Sequence, residues 1–184
     1  DLTRLYTRNG DDGETFLLFG EKVSKNDKRV ECYGVLDECI SVLGVSNSII
    51  LEEKKSDVSE IIINIQRKLF IVSSEIACPK SKYFEMKKKY KFITKEMILE
   101  IEKFIDKFQD RTPKINYFVL PGNSLSSSYI DVARTICRRA ERLCVDLKNN
   151  NNLNNKNNLI ILNRLSDLLF IIARYIDRDK EYLN

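Results

Sequence analysis

The sequence predicts an all-α fold, an up-and-down bundle of five helices with an irregular N-terminal arm. Three observations lead there. Only six glycines and three prolines occur in 184 residues, too few for a turn-rich β-architecture. Apolar residues return every three or four positions through five long segments, which is the helical period. Mostly short connections join those segments, so successive helices fold back on one another. The length fits one domain, 1–184, with enough chain for a real core.

In chain order, residues 1–25 hold most of the turn chemistry, with Gly10 and Gly13 in a tight loop, and read as the irregular arm. Val30, Tyr33, Leu36, Cys39, Ile40 and Leu43 recur at helical spacing and define a helix over about 29–52. A second helix covers about 58–78, with Asp57 and Glu60 as a capping box and Pro79 as its stop. The lysine-rich stretch 80–91 reads as an exposed connection. Thr94 caps a third helix to about 108, and Pro113 closes that region. Residues 117–122 form a short extended segment entering a turn, ahead of a fourth helix over about 124–148. Residues 149–158, dominated by asparagine, have the low complexity of a disordered insertion. A fifth helix follows over about 159–178.

Composition excludes several function classes. Histidine is absent, which removes the commonest general base and metal ligand, and with it Ser-His-Asp, Cys-His and His-based zinc chemistry. The five cysteines, Cys32, Cys39, Cys78, Cys137 and Cys144, show no CxxC spacing and read as buried free thiols in a reducing compartment. A net charge of +4 is too mild to argue for nucleic acid. No apolar run approaches the roughly 20 residues of a membrane span, so neither a nucleic acid nor a membrane is expected as partner.

The most pointed local feature is arginine. Four of the 12 arginines fall within 134–142, although lysine, with 19 residues, is the ordinary basic residue of this chain. Arginine's planar, permanently charged fork suits two-pronged grip on carboxylate or phosphate. On a helix Arg134, Arg138 and Arg142 stand at i, i+4 and i+8 and make one stripe, beside an apolar face containing Val132, Ala133, Ile136, Cys137, Ala140 and Cys144. A cationic stripe at the edge of a buried face suggests an anion site.

Other candidates are weaker alone. The loop of Thr7, Arg8, Asn9 and Gly10 through Gly13 can wrap a phosphate chain, but lacks the GK[ST] ending of a Walker loop and is equally a plain surface turn. Asp37 and Glu38 can be a solvated helix face, an ion pair or Mg²⁺ ligands. The stripe can be an exposed helix with Glu141 as its partner, and Asn163 can cap a helix or read a nucleoside edge.

Taken in order, these pieces resemble the PduO-type corrinoid adenosyltransferases, the ATP:cob(I)alamin adenosyltransferases. The opening pattern Y-T-[KR]-x-G-D-x-G-x-T is met over 6–15, and G-E-x-[VR]-x-K over 20–25. E-x-x-G-x-x-D-E is met by Glu31, Gly34, Asp37 and Glu38. The F-[VI]-L-P-G segment falls at 118–122, A-R-x-x-C-R-R-A-E-R at 133–142, and L-N-R-L-S-D-x-L-F at 162–170.

The resemblance implies a homotrimer of helical bundles, with active sites between subunits built from the arm of one and the arginine helix of the next. It implies ATP as co-substrate with Mg²⁺, cobalamin as substrate, and a cobalamin-dependent mutase and a reductase as further partners. Thr7, Arg8, Asn9, Gly10, Thr15 and Lys25 would line the triphosphate. Arg138, Arg139, Glu141, Arg142 and Asn163 would complete the nucleotide site. Asp37 and Arg134 would pair across the subunit boundary, and Phe118 would sit against the lower corrin face. The expected compartment is mitochondrial in a eukaryote, with a targeting segment not included in this chain, and cytoplasmic otherwise.

The chain departs from the pattern where Asn9 replaces a threonine, Asp12 a lysine, Phe16 a hydroxyl residue, Phe19 a glycine, Asn123 a second glycine and Asp131 a histidine. Asp12 and Phe16 keep a second reading open, a carrier that binds ATP and corrinoid and delivers adenosylcobalamin without efficient turnover. A third, an RNA-binding bundle, has the mild charge and the lack of aromatics near the arginines against it.

Overall fold

The computed structural model describes Tyr6 and residues 8–182. Thr7 lies outside the described residues. Five long helices carry the bundle: α1 (Lys28–Glu52), α2 (Ser56–Ile76), α4 (Lys95–Gln109), α5 (Leu125–Asn149) and α6 (Asn157–Ile176). A sixth and short one, α3 (Tyr83–Lys89), occupies the stretch expected to be a plain connection. Met86 is fully buried there, and seven residues give the helical period too little length to register.

Caps explain the starts. Asp27 accepts the Arg29 amide at 2.8 Å, Thr94 the Met97 amide at 3.4 Å and Ser124 the Ser127 amide at 3.3 Å. The expected capping box of α2 does not form. The helix begins two residues earlier, at Ser56, which places Asp57 inside the first turn, where its carboxylate accepts the Tyr175 hydroxyl at 3.4 Å.

Pairings across the core fix the directions. Cys32 lies 3.7 Å from Cys144, Cys39 donates to the Ala133 carbonyl, and Ser46 to that of Ser126. Partner numbers fall along α5 as they rise along α1, so the two are antiparallel. Arg174 reaches Asp131 while Cys137 reaches Leu162 O, so α6 runs against α5. Glu102 meets Arg164 and Phe108 meets Tyr175, so α4 runs with α6. The order is up-down-up-down-up. In space α1 lies between α2 and α5, and α6 between α5 and α4.

By length and apolar content α1 could cross a bilayer. Its buried side chains, including Cys32, Leu36, Cys39, Leu43 and Ile50, belong instead to the shared core. All five cysteines are buried free thiols. Contact with the Cys144 thiol and burial hold Cys32 far above the usual thiol range. It therefore stays neutral and packs as a small apolar group.

The arm is more regular than its sequence indicates. Strands β1 (Glu14–Phe16) and β2 (Lys22–Ser24) form an antiparallel hairpin with Glu14 opposite Ser24 and Phe16 opposite Lys22. Three residues per strand are too few for alternation to stand out. Its turn takes left-handed backbone at Phe19 (φ 68°) and Gly20 (φ 84°). Buried Leu17 and the bond from Leu18 N to Ala77 O at 2.9 Å fasten it to the end of α2. Arg29 joins arm to helix by bonding both Glu21 and Asp27, and its guanidinium holds the Asp27 carboxyl below the usual range.

The segment 149–158, expected to be disordered, is a fixed connector. Asn154 donates to Cys78 O at 2.7 Å, and Asn155 to Ile93 O and a Glu75 carboxylate oxygen, each at 2.9 Å. Asn157 also reaches Ile93 O, and Asn158 is fully buried at the start of α6. Composition alone cannot reveal that a buried carboxylate and two open carbonyls await those amides.

Candidate functional site

Helix α5 turns Ala133, Cys137, Ala140 and Cys144 fully into the core, and the same rotation puts Arg138, Arg139 and Arg142 in solvent. Val132, expected on the buried face, is 45% exposed instead. Arg139 forms an ion pair with Glu38 on α1. Arg142 donates to the Arg138 carbonyl at 3.2 Å. Among the described residues, no carboxylate pairs with the guanidinium of Arg138 or Arg142. Two guanidinium groups thus stand uncompensated on one helical face.

Arg134 behaves differently. Its Nε donates to Asp131 Oδ1 at 2.9 Å, and the other Asp131 oxygen takes the buried Arg174 guanidinium. Asp131 and Arg174 are each 3% exposed, so they form a buried ion pair to which the part-buried Arg134 is joined at the root of the arginine row. Asp37 lies exposed on α1 and does not meet Arg134 within one chain. Sequence reasoning missed this triad. Asp131 stands three residues before Arg134, which was a visible cue, but 43 residues separate it from Arg174.

Glu141 accepts Asn163 Nδ2 at 3.1 Å, so the closing motif on α6 is hydrogen-bonded to the arginine helix. Asn163 is therefore inside α6 and is not its cap. Its carbonyl oxygen accepts Arg164 at 2.7 Å, and Arg164 continues to Glu102 on α4 at 2.8 Å. Both ends of the Asn163 side-chain amide are thus engaged.

In the arm, Arg8 takes a left-handed φ of 61° and Gly13 one of 79°. The loop closes through Asp11 N to Arg8 O and Gly13 N to Gly10 O. A Cβ at Gly10 would fall 3.0 Å from Lys25 Nζ, so glycine there lets the lysine head lie against the loop. Lys25 is anchored by its own amide, which donates to Gly13 O at 2.8 Å. Thr15 is half-buried opposite Val23 in the hairpin, and Asn9 is exposed. A cleft of about 270 Å³ runs between arm and α1, lined by Lys25, Val30, Glu31, Gly34, Val35 and Glu38. The sequence candidates therefore converge as Lys25, Gly10 and the Glu31–Glu38 face, with Arg139 tied in through Glu38.

Phe118 is set apart on a loop and is 98% exposed, with Tyr117, Leu120 and Leu125 about half exposed beside it in the chain. A run of large apolar groups left in water marks a contact surface for an apolar ligand or partner. A separate cavity of about 410 Å³ opens beside residues 112–116 and is also lined by Ile105, Gln109, Asp167 and Phe170. No candidate site residue lines it.

Comparison with known proteins bears on this arrangement. The family model described as cobalamin adenosyltransferase matches residues 5–176. The chain belongs to the cobalamin adenosyltransferase family. It is 36% identical over 173 residues to a corrinoid adenosyltransferase from Citrobacter freundii, covering 94% of both chains. A corrinoid adenosyltransferase from Bos taurus is 38% identical over 174 residues, covering 95% of this chain and 71% of the other. Among solved structures, a phenylalanine-to-histidine variant of a PduO-type ATP:corrinoid adenosyltransferase from Lactobacillus reuteri, complexed with cobalamin and ATP, superposes with a TM-score of 0.87 at 34% identity. That match covers 98% of this chain and 94% of the other.

Proposed function

We propose that this family member transfers the 5′-deoxyadenosyl group of ATP to the cobalt of cob(I)alamin, giving adenosylcobalamin and triphosphate. The observation that carries the reading is the uncompensated pair Arg138 and Arg142 on α5, in a chain whose relatives are corrinoid adenosyltransferases. The electron pair of Co(I) forms the Co–C5′ bond while the C5′–O bond breaks, and its electrons leave with the triphosphate. No proton has to be removed, which suits a chain without histidine. The substrates carry the reactive electrons, so the protein's work is to align cobalt with C5′ and to stabilise charge on the leaving group.

In this reading Arg138, Arg139 and Arg142 hold the departing triphosphate, with Glu141 and Asn163 completing the nucleotide site. Thr7, Arg8, Asn9, Gly10, Thr15 and Lys25 wrap the phosphates from the arm. Mg²⁺ would arrive on the phosphates of ATP, where it would help neutralise the leaving triphosphate. Phe118 offers an exposed ring with no coordinating atom, and covers the lower face of the corrin against axial ligands. Keeping that face free of ligands favours reduction of cob(II)alamin.

The active assembly is a homotrimer in which Asp37 of one subunit reaches Arg134 of the next, which the Asp131 contact already orients. The product passes to a cobalamin-dependent mutase, and a reductase supplies the Co(I) state. Five free thiols suit a reducing compartment, mitochondrial or cytoplasmic.

The test is anaerobic. Chemically reduced cobalamin and ATP are mixed with the protein and the visible spectrum is followed. Appearance of the adenosylcobalamin spectrum with stoichiometric triphosphate is expected. Unchanged Co(I) absorbance overturns the reading, and binding of both ligands without alkylation selects the carrier alternative, for which the exposed Asp12 beside the phosphate loop is the motive.

A further inference from the structure

Charge is unevenly distributed over this molecule. Residues 80–92 contain six lysines, one glutamate and no arginine, a net charge of +5, while the whole chain carries +4. The rest of the protein is therefore slightly acidic. All six lysines are exposed. Lys82 and Lys89 both pair with Glu85, at 3.3 and 2.9 Å, and Lys80 donates to Asn151. Among the described residues, Lys87, Lys88 and Lys91 pair with no carboxylate.

Large aromatics are interleaved with these lysines and are held at the surface. Phe84 is 73% exposed and Tyr90 50%. Lys88 lies 4.4 Å from the centre of the Phe84 ring, and Lys87 4.7 Å from that of Phe92. The platform beneath is anchored to the body of the protein. Met86 is fully buried under α3, and the Tyr83 hydroxyl donates to buried Glu75 at 2.7 Å. This anchored ledge thus presents lysine heads and an exposed phenyl ring to solvent.

We infer that this α3 ledge docks the protein on an anionic lipid surface. Residue choice decides between occupants. Protein interfaces favour arginine and are depleted in lysine, and an acidic groove would reward arginine's two-pronged grip. All twelve arginines of this chain lie elsewhere. A bilayer of anionic headgroups is a diffuse field that needs only point charges, and clusters of four to eight basic residues suffice for it. Exposed aromatics at the same level insert at the headgroup boundary. Burial of the apolar side chains of α1 in the bundle core bears only on spanning, and surface docking needs no spanning helix.

Cosedimentation of the full chain with vesicles tests the inference. Phosphatidylcholine vesicles and vesicles with one third phosphatidylserine are compared at about 0.1 M and about 0.5 M salt. Binding to the anionic vesicles only, weakened at high salt, is expected because screening shortens from about 10 Å at 0.1 M as salt is added.

Each lysine near such a surface contributes roughly fivefold in partitioning, so Lys87→Gln/Lys88→Gln/Lys91→Gln loses about 100-fold. A control of equal charge loss elsewhere, Lys103→Gln/Lys107→Gln/Lys148→Gln, retains most binding. Phe84→Ser weakens binding at both salt concentrations. Adenosyl transfer in solution and the melting temperature are unchanged in the patch variants, which separates this inference from the enzymatic one. Wild-type protein that stays in the supernatant with anionic vesicles overturns the proposal, as does equal loss in the control variant. Retention on immobilised polyglutamate without vesicle binding also overturns it and makes the ledge a site for an acidic protein.

Discussion

Arg138 and Asp131 sit two turns apart on α5 and answer opposite questions. Arg138 is exposed and pairs with no carboxylate among the described residues, so folding gains little from its charge. Removing a group that stabilises transition-state charge typically lowers turnover about 10²–10³-fold. Arg138→Ala is therefore expected to lose activity on that scale in the anaerobic assay while its thermal melt matches wild type. A variant that keeps full turnover removes Arg138 from the proposed triphosphate clamp.

Asp131→Ala behaves the other way. It strands the buried Arg174 guanidinium, and breaking a buried pair by removing one partner costs about 3–5 kcal/mol. Urea denaturation should show that loss, and an unchanged midpoint would deny the triad its structural weight. The two residues also differ in legibility. Arginine density at 134–142 advertised Arg138, whereas the role of Asp131 depends on a partner 43 residues away that only the fold brings near.

Between elements, the stretch 149–158 corrects the view that polar low complexity means disorder. Asn154 and Asn155 fill acceptors left open at the end of α2 and before α4. Glu75 is the centre of that junction, taking the Ile93 amide, the Tyr83 hydroxyl and Asn155. The helices that flank the stretch were legible because their period repeats over 20 or more residues. The connector was not, because its order comes from three separate parts of the chain.

Burial raises the Glu75 carboxyl above its ordinary value of 4.5, and its hydrogen bonds only partly oppose that. For an acid with a raised folded value, the stabilising contribution is complete below the unfolded value near 4.5. It is lost as pH climbs through the folded value. Glu75→Gln should flatten this part of the stability curve, so that wild type loses melting temperature relative to the variant as pH rises above 4.5. Parallel curves for the two proteins would show that Glu75 does not titrate in this window.

For the whole molecule the decisive issue is which chain completes the site. Lys25 shares a cleft with Glu38, and Glu38 holds Arg139 of the same chain, yet the proposed assembly joins one subunit's arm to the next subunit's arginine helix. Periodicity made the bundle legible. It has no bearing on assembly, because a heterologous contact in a ring involves different surfaces of two copies. Complementation separates the cases. Lys25→Ala disables the arm and Arg138→Ala disables the helix, and each alone is expected to be nearly inactive. On the proposed trimeric assembly, the two variants co-expressed in equal amounts should mix at random in particles of three times the 21.5 kDa chain mass, measurable by light scattering. A shared site works when an intact arm meets an intact helix across the boundary, which random pairing supplies at about one site in four for a closed ring. Recovery of about a quarter of wild-type activity per site is then expected from two inactive parents. A site contained within one chain recovers nothing, since every subunit of the mixture carries one defect, and that result would move the triphosphate clamp onto a single protomer.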